Sequence, residues 1–299
     1  MRFAHRLALL TTAATFLLLM VGGIVRSTGS GLACPDWPTC HGTLMPEMVG
    51  GVLFEHTHRL VASAVGLLTL GLATLLWRGG VKALRALGIG AALLVIAQGV
   101  LGGITVLWQL PPVVSTAHLG VSMLFFALLV LISFRTASGH GQVTLSPRVR
   151  TLTGAALLAI YAQILVGAWV RHRGAGLACT DLPLCAGALW PGAGPARLHM
   201  LHRIGAIVSG ALLVAAALGV RAYARAGLLR LLGWALPALV AAQIVLGALA
   251  VIRGLDLFLI TAHLGVGALL WAGAVSLWLG TQPDAARVAD PIALAEVAR

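Results

Sequence analysis

Four histidines are the residues of this chain most able to do chemistry, because they occur at matching places in two parts of the sequence. His58 lies in "HTHRL" and His202 in "HMLHRI", while His118 and His263 each lie in "TAHLG". All four stand in or beside long apolar segments, where an ionisable residue is a functional hypothesis by default. A lone histidine there is more often a hydrogen-bonded packing residue, but two copies of the same pair favour a functional role.

The paired spacing favours a metal held between two imidazoles. We expect His58 and His118 to lie at similar depth in two helices and to face each other, and His202 and His263 to repeat this arrangement. Such pairs are typical of a haem with histidine on both axial sides. Copper or zinc would need more protein ligands than each pair offers.

One acidic residue distinguishes the two parts. Glu55 stands three residues before His58, one helical turn away on the same face, whereas His199 occupies the matching place before His202. Beside an axial ligand, Glu55 is a candidate base or proton acceptor. The alternative is a structural pair with Arg59 near the helix start, where a carboxylate also suits the helix dipole.

Four arginines lie close to these histidines. Arg59 and Arg203 directly follow His58 and His202, and we interpret them as partners of haem propionates, which a guanidinium can bind with two parallel hydrogen bonds. Arg26 and Arg171 end the apolar segments that precede the cysteine loops. For these two, propionate binding and contact with lipid head groups both remain open.

All the cysteines of the chain fall in two similar loops, "GLACPDWPTC" and "GLACTDLPLC". Each loop separates its two cysteines by six positions, which permits a local disulfide, whereas zinc pairs are usually spaced more closely. A disulfide that shapes the loop and a thiol–disulfide role in electron transfer both remain open. The two pairs are Cys34 with Cys40 and Cys179 with Cys185.

Glycines are frequent near the first histidine pair. They either leave room for a flat macrocycle or allow ordinary close packing of membrane helices. The residues concerned are Gly22, Gly23, Gly99, Gly102, Gly103 and Gly120.

The composition predicts that membrane helices position these residues. The chain has 299 residues, of which 60% are hydrophobic and 9% are charged, whereas a soluble domain carries about 25% charged residues. Apolar runs of about 20 residues, enough to cross a bilayer, recur along it. We predict an all-α polytopic membrane protein with eight spans, near 7–25, 57–77, 87–108, 113–134, 152–170, 200–220, 231–251 and 257–279.

The distribution of basic residues predicts the orientation. Most of the 20 lysines and arginines lie in the terminal segments and in the loops around 78–86, 135–150 and 221–230. Basic loops remain in the cytoplasm, so both termini are expected there and both cysteine loops outside it, where disulfides persist. The net charge of +12 therefore reflects topology, and without a continuous basic stripe it does not indicate nucleic-acid binding.

The chain is internally duplicated. Placing Gly31 on Gly176 also places "QGVLGGITV" on "QIVLGALAV" and one "TAHLGV" on the other. We therefore predict two four-helix bundles that are parallel repeats. The predicted parts are an N-terminal half (1–134), a cytoplasmic linker (135–150), a C-terminal half (151–280) and a cytoplasmic tail (281–299).

These motifs together resemble the haem A synthase family, from Gly22 to Gly265. The resemblance rests on the duplicated "GSGLACPDWPTC"-type loop, on "EHTHR", on the "Q-x-V-L-G" segments and on the two "TAHLG" copies. It implies an oxidoreductase that acts on a CH3 group, oxidising a ring methyl of haem O to the formyl of haem A. Two successive hydroxylations and the loss of water from the geminal diol complete the change.

The resemblance also implies a role for each half. Haem O would lie between His58 and His118, with Glu55 as the proton acceptor. A haem b would be ligated by His202 and His263. The protein is expected to lie in the lipid of the inner or plasma membrane and to form a possible homo-oligomer. It is expected to receive haem O by handover from the farnesyltransferase that makes it, and to support cytochrome c oxidase assembly. The electron acceptor is left unspecified.

Three other functions are compatible with parts of the pattern. A bis-histidine cytochrome b-type electron carrier would use the histidines, but it needs haems near both membrane faces. A quinone-linked thiol oxidase would use the cysteines and leave the histidines unexplained. A non-enzymatic haem carrier would have no need of Glu55.

Overall fold

Eight long helices make up the protein in the computed structural model, which describes residues 2–137, 145–192 and 194–282. Parts of the expected linker and tail therefore lie outside the described residues. All eight helices are long and apolar enough to cross a membrane, which confirms an all-helical, multi-pass fold. They are α1 (Arg2–Ser27), α2 (Gly50–Arg78), α3 (Lys82–Leu107), α4 (Pro112–Thr136), α5 (Pro147–His172), α6 (Gly194–Tyr223), α7 (Gly227–Ile252) and α8 (Leu257–Gly280).

Seven of the eight helices begin before the predicted spans, and the largest differences are in α2 and α6. α2 begins at Gly50 and α6 at Gly194, about two turns before the predicted spans at 3.6 residues per turn. Apolar runs report the hydrocarbon thickness of the bilayer, and these helices continue beyond it. As a result, His58 and His202 each lie in the third turn of their helix, whereas the predicted spans would put them in the first.

The helices form two groups of four. In the first group α1 contacts α2, α2 contacts α3, α3 contacts α4, and α4 returns to α1; α5 to α8 repeat this order. The groups meet where α1 and α4 pack against α8, and where α4 packs against α5. Hydrogen bonds cross this boundary from Trp271 Nε1 to the Met123 carbonyl oxygen at 2.8 Å and from the Tyr161 hydroxyl to the Gly120 carbonyl oxygen at 3.2 Å.

The two cysteine loops lie at one end of the helices, called here the cysteine-loop end. Cys34 is bonded to Cys40 and Cys179 to Cys185, which confirms local disulfides. After each disulfide the chain makes the same short turn, with a backbone bridge from Cys40 to Thr43 in one loop and from Cys185 to Ala188 in the other. The duplication therefore extends to loop backbone geometry.

An aspartate organises each loop from within. Asp36 accepts hydrogen bonds from the Thr39 hydroxyl and from the amides of His41 and Gly42. These hydrogen bonds hold the pKa of the Asp36 carboxyl well below its usual value, and the bond from Thr39 makes the largest contribution. Asp181 accepts from the Ala186 amide in the second loop.

Candidate functional site

Each histidine of the first pair lies against a glycine of a neighbouring helix. A Cβ atom on Gly22 of α1 would lie 3.1 Å from His58 Cε1, and one on Gly102 of α3 would lie 3.5 Å from His118 Cε1. His58 and His118 are near enough to influence each other electrostatically. Within the described residues the Nδ1 atoms of both are buried without a hydrogen-bond partner, so this pair has unused ligand capacity.

The second pair repeats the arrangement. A Cβ atom on Gly167 of α5 would lie 2.8 Å from His202 Cε1, and one on Gly247 of α7 would lie 3.0 Å from His263 Cε1. The ring centroids of His202 and His263 are 6.5 Å apart. Two imidazoles that share one axial metal ion need centroids roughly 6 Å apart, because each nitrogen lies about 2 Å from the metal. The spacing of this pair therefore fits a bis-histidine haem.

The remaining glycines have mixed surroundings. A Cβ on Gly23 would lie 2.5 Å from Leu264 Cδ2, and one on Gly120 would lie 2.8 Å from Leu165 Cδ2, so these two serve close helix packing. Gly99 has nothing within 4 Å of such a Cβ. Of the glycines singled out in the sequence, Gly22 and Gly102 are therefore the ones that make room for an imidazole.

Glutamines hold three of the four histidines in place. Gln98 Nε2 donates to the His118 carbonyl oxygen at 3.0 Å. Gln243 lies beside His263 at the matching place, with its backbone carbonyl oxygen 3.2 Å from His263 Nδ1. Both belong to the duplicated "Q-x-V-L-G" segments, so the repeat itself could have identified them. The side-chain Nε2 of Gln243 also lies 3.2 Å from His263 Nε2, so both ring nitrogens of His263 contact this glutamine.

A third glutamine has no equivalent in the first half. Gln163 Nε2 donates to His202 Nδ1 and to the His202 carbonyl oxygen, both at 2.8 Å. The matching residue of the first half is Leu18, so comparison of the repeats gives no signal for Gln163. His202 is thus held by a side chain that His58 lacks.

Glu55 is buried and has partners on both carboxylate oxygens. Oε1 lies 2.6 Å from Nη2 of Arg59, and Oε2 accepts a 2.8 Å hydrogen bond from the Cys34 amide. The side chain is 3% exposed. Because α2 starts at Gly50, this pair lies inside the helix rather than at its dipolar end, and it joins the helix to the cysteine loop.

His199 makes the equivalent loop contact in the second half. The Cys179 amide donates to His199 Nδ1 at 3.3 Å, as the Cys34 amide donates to Glu55. Anchoring the loop is therefore common to both residues. What distinguishes Glu55 is its carboxylate, which also pairs with Arg59.

Arg59 and Arg203 fasten the loops to their helices. Arg59 donates to the carbonyl oxygens of Cys34, Asp36 and Thr39. Arg203 donates to the carbonyl oxygens of the matching Cys179 and Asp181, both at 2.6 Å. Together with Glu55, these bonds occupy both terminal nitrogens of Arg59, so its Nε–H is the guanidinium donor without a partner among the described residues.

An aromatic residue of the first loop covers α3 beside the first histidine pair. A Cβ on Gly103 would lie 2.7 Å from Trp37 Cδ2, and Gly103 adjoins the Gly102 that faces His118. The matching positions of the second half carry Leu182 and Ala248. A larger loop side chain thus occurs with a smaller helix residue, and the first site has an aromatic cover.

His56 is a buried imidazole against the first disulfide. Its two nitrogens have no hydrogen-bond partner among the described residues. The ligand atoms of Cys34, Cys40 and His56 lie within 4.8 Å of one another. The two sulfurs are bonded to each other, however, so the cluster offers a single imidazole to a metal ion. The matching residue of the second half is the apolar Met200.

Fold and site together define a multi-pass helical membrane protein with two histidine pairs near its cysteine-loop end, of which the second has ring centroids 6.5 Å apart. A sequence model of the cytochrome oxidase assembly protein family (COX15-CtaA) matches residues 5–51 and 47–275. The chain belongs to this family.

Curated relatives agree over most of the length. The heme A synthase of Symbiobacterium thermophilum is 33% identical over 91% of this chain and 93% of its own. That of Geobacillus kaustophilus is 34% identical over 85% of this chain and 83% of its own. That of Bacillus cereus is 31% identical over 88% of each.

Proposed function

We propose that this protein is a haem A synthase, which oxidises a ring methyl of haem O to the formyl of haem A and so supports cytochrome c oxidase assembly. The observation that carries the proposal is the duplicated pair of histidines, each imidazole set against a helix glycine at the same end of the fold. The names of the relatives agree with it. The protein would act as an oxidoreductase on a CH3 group.

The first half would receive the substrate. His58 and His118 would hold haem O through ring nitrogens that have no hydrogen-bond partner among the described residues. Trp37 of the first cysteine loop would cover the site. The unpartnered buried nitrogens of this pair support the assignment, since such atoms are costly to leave unbonded. Because haem O is apolar, we expect it to arrive through membrane lipid by handover from haem O synthase.

The second half would hold a haem b. His202 and His263 have the spacing that axial ligation requires, and Gln163 and Gln243 orient them. Bound haem supplies the redox chemistry, while the protein supplies position and proton transfer. No carboxylate stands at the place of Glu55 in this half, which supports a resident haem rather than a converted one.

Glu55 would accept the protons that the oxidation releases. Each hydroxylation would replace a C–H bond of the methyl group by a C–O bond to a water oxygen, with release of two protons and of two electrons to an external acceptor. The geminal diol would then lose water to give the formyl. An ionised carboxylate has about four acceptor sites, so Glu55 can keep its bonds to Arg59 and to the Cys34 amide while it accepts a proton. Its position one helical turn before His58 supports this role.

Arg59 and Arg203 would contribute through the loops. By donating to loop carbonyl oxygens they hold each disulfide-closed loop over its site, and the free Nε–H of Arg59 is available to a propionate. The disulfides Cys34–Cys40 and Cys179–Cys185 would then act as staples. Their sulfurs are buried, with Cys34 and Cys40 at 0% exposure, which disfavours the thiol oxidase alternative.

The topology that accompanies this function is also a proposal. The two helix groups would be parallel repeats in the cell membrane, with both termini in the cytoplasm and the cysteine loops outside it. All four histidines lie toward the cysteine-loop end, so a haem-to-haem path across the membrane is poorly served. This disfavours the cytochrome b-type electron carrier.

The test is conversion by the purified full-length protein. Incubation with haem O, followed by pigment extraction and mass measurement, should yield formyl haem. His118→Ala should bind less haem O and yield none of the product. The contradicting result is that the unaltered protein binds haem O under oxidising conditions and the haem O is recovered without change. The protein would then be a haem carrier and not an enzyme.

A further inference from the structure

Two arginines from matching places in the two halves converge at the cysteine-loop end. Arg26 and Ser27 end α1, and Arg171 and His172 end α5. Arg171 Nη2 donates a 2.8 Å hydrogen bond to Ser27 Oγ across the boundary between the halves. Because Arg26 adjoins Ser27, this bond brings the ends of two helices that each carry an arginine together.

These cations have no acidic partner within the described part of the chain. The salt bridge found there joins Glu55 to Arg59, and the Asp36 carboxylate is engaged inside its own loop. Arg26 Nε is buried with no hydrogen-bond partner among the described residues. Like charges that are half-buried together are unfavourable unless an anion joins them, so the arrangement indicates a ligand.

The helix dipole does not explain this convergence. A cation in the last turn of a helix is stabilised modestly by that helix alone, and each arginine could receive this benefit while pointing into the solvent. Arg173, two residues further on, does turn away: it is exposed and stacks on the Trp169 ring at 5.8 Å. Arg171 instead turns toward the other half.

The cluster lies beside the first histidine pair. Arg26 follows Gly22 by four residues, so both lie on one face of α1, and Gly22 is the residue that lies against His58. Arg171 is bonded to Ser27, the neighbour of Arg26, so the end of a helix from the second half reaches the end of α1 that borders the first site. An anionic group held between the two arginines would lie at the edge of the space that His58 borders.

We propose that Arg26 and Arg171 form an anion site across the boundary between the halves, which binds the propionate carboxylates of the porphyrin in the first half. This rests on the proposed function. Guanidinium groups recognise carboxylates through paired, charge-assisted hydrogen bonds, and Arg26 Nε–H is the unused donor. The second half thereby completes the substrate site of the first. A phosphate of an anionic lipid has the same chemistry and is the competing source.

The experiment compares porphyrins with and without free carboxylates. Full-length protein whose second site is already filled is titrated with haem and with haem dimethyl ester, and binding to the first site is read from the absorption spectrum. The variants are Arg26→Gln, Arg171→Gln and the double variant. Arg173→Gln is the matched control, since it removes an exposed cation from the same helix end.

The proposal predicts weaker haem binding in the variants. Each lost charge-assisted hydrogen bond should cost about tenfold to a hundredfold in affinity for haem, while the ester should bind all forms equally weakly. Arg173→Gln should bind haem as the unaltered protein does. If a Gln variant fails to fold, Arg171→Lys keeps the charge without the fork and should give an intermediate loss.

Two results would overturn the assignment. One is undiminished haem affinity in the double variant. The other is that the variants bind haem normally but lose the rise in thermal unfolding temperature that phosphatidylglycerol vesicles give the unaltered protein. That result would identify a lipid phosphate as the ligand. Failure of the unaltered protein to bind haem in its first site would contradict the proposed function instead.

Discussion

Replacing Glu55 by histidine separates its two possible roles, because the second half already shows what histidine does there. His199 accepts the Cys179 amide at 3.3 Å, so Glu55→His should keep the loop anchored through the Cys34 amide. It removes the carboxylate, and because Nδ1 of the new imidazole would be bonded to the amide, Nε2 would carry the hydrogen and leave no free acceptor for a proton. Glu55→Gln is the companion variant, which keeps an oxygen acceptor and loses the charge.

The cost in stability follows from the contacts that are lost. Both substitutions remove the 2.6 Å ion pair with Arg59, while Arg59 retains its bonds to three loop carbonyl oxygens. A hydrogen bond to a charged group contributes about 1.5–3 kcal/mol. We expect the free energy of unfolding to fall by an amount in that range, with the histidine pairs intact.

The cost in turnover should be much larger. Positioned general bases contribute roughly 10²–10⁴-fold in rate, so conversion of haem O should fall by about that factor in both variants. The assay measures formyl haem per unit time in purified protein, alongside haem O binding and thermal unfolding. His199→Glu is the matched control, because it adds a carboxylate to the second half and should leave turnover unchanged.

The reasoning is refuted by a Glu55→His variant that binds haem O and produces haem A at the unaltered rate. Glu55 would then be a loop anchor, equivalent to His199, and the proton acceptor would have to be sought elsewhere. A variant that loses haem O binding as well as turnover would show that the carboxylate positions the substrate, and would also reject the role of proton acceptor.

Gly167→Ala should weaken or abolish the haem spectrum of the second site, because the alanine Cβ would lie 2.8 Å from His202 Cε1 and must displace the imidazole. Gly99→Ala is the control: its Cβ would meet nothing within 4 Å, so every haem should stay in place. His56→Met should raise the thermal unfolding temperature, since an unpartnered buried imidazole costs about 1–3 kcal/mol, and a lower temperature would mean that the imidazole has a partner. The folded-state pKa of Asp36 is lowered, so its contribution to loop stability is present above about pH 4 and declines as the pH falls further. Protection of the first disulfide from reductant should decline below that pH, and Asp36→Asn should remove the dependence; an unaltered acid profile in Asp36→Asn would reject this role.

Much of the fold was predictable because the bilayer restricts it. The eight apolar runs gave eight helices, since a spanning segment must satisfy its own backbone hydrogen bonds. The starts of α2 and α6 were predicted too late, because hydropathy does not detect helix that continues outside the hydrocarbon. The error matters at Glu55, which was expected near a helix end and lies within α2 instead.

The site was predictable only where the repeat exposed it. His58 and His202 stood out because each occurs in a copy of the same motif. Contacts between different helices left no such signal: the approach of Gly167 to His202, and the bonds of Arg59 to loop carbonyl oxygens, depend on three-dimensional packing. Gln163 matches Leu18 in the other half, so duplication could not reveal it.

The most direct test of the account is pigment analysis of two matched double variants after loading with haem O. His58→Ala with His118→Ala should keep the haem b spectrum of the second site and return haem O without a formyl group. His202→Ala with His263→Ala should lose the haem b spectrum. Formyl haem from the first double variant would contradict the claim that this histidine pair holds the substrate.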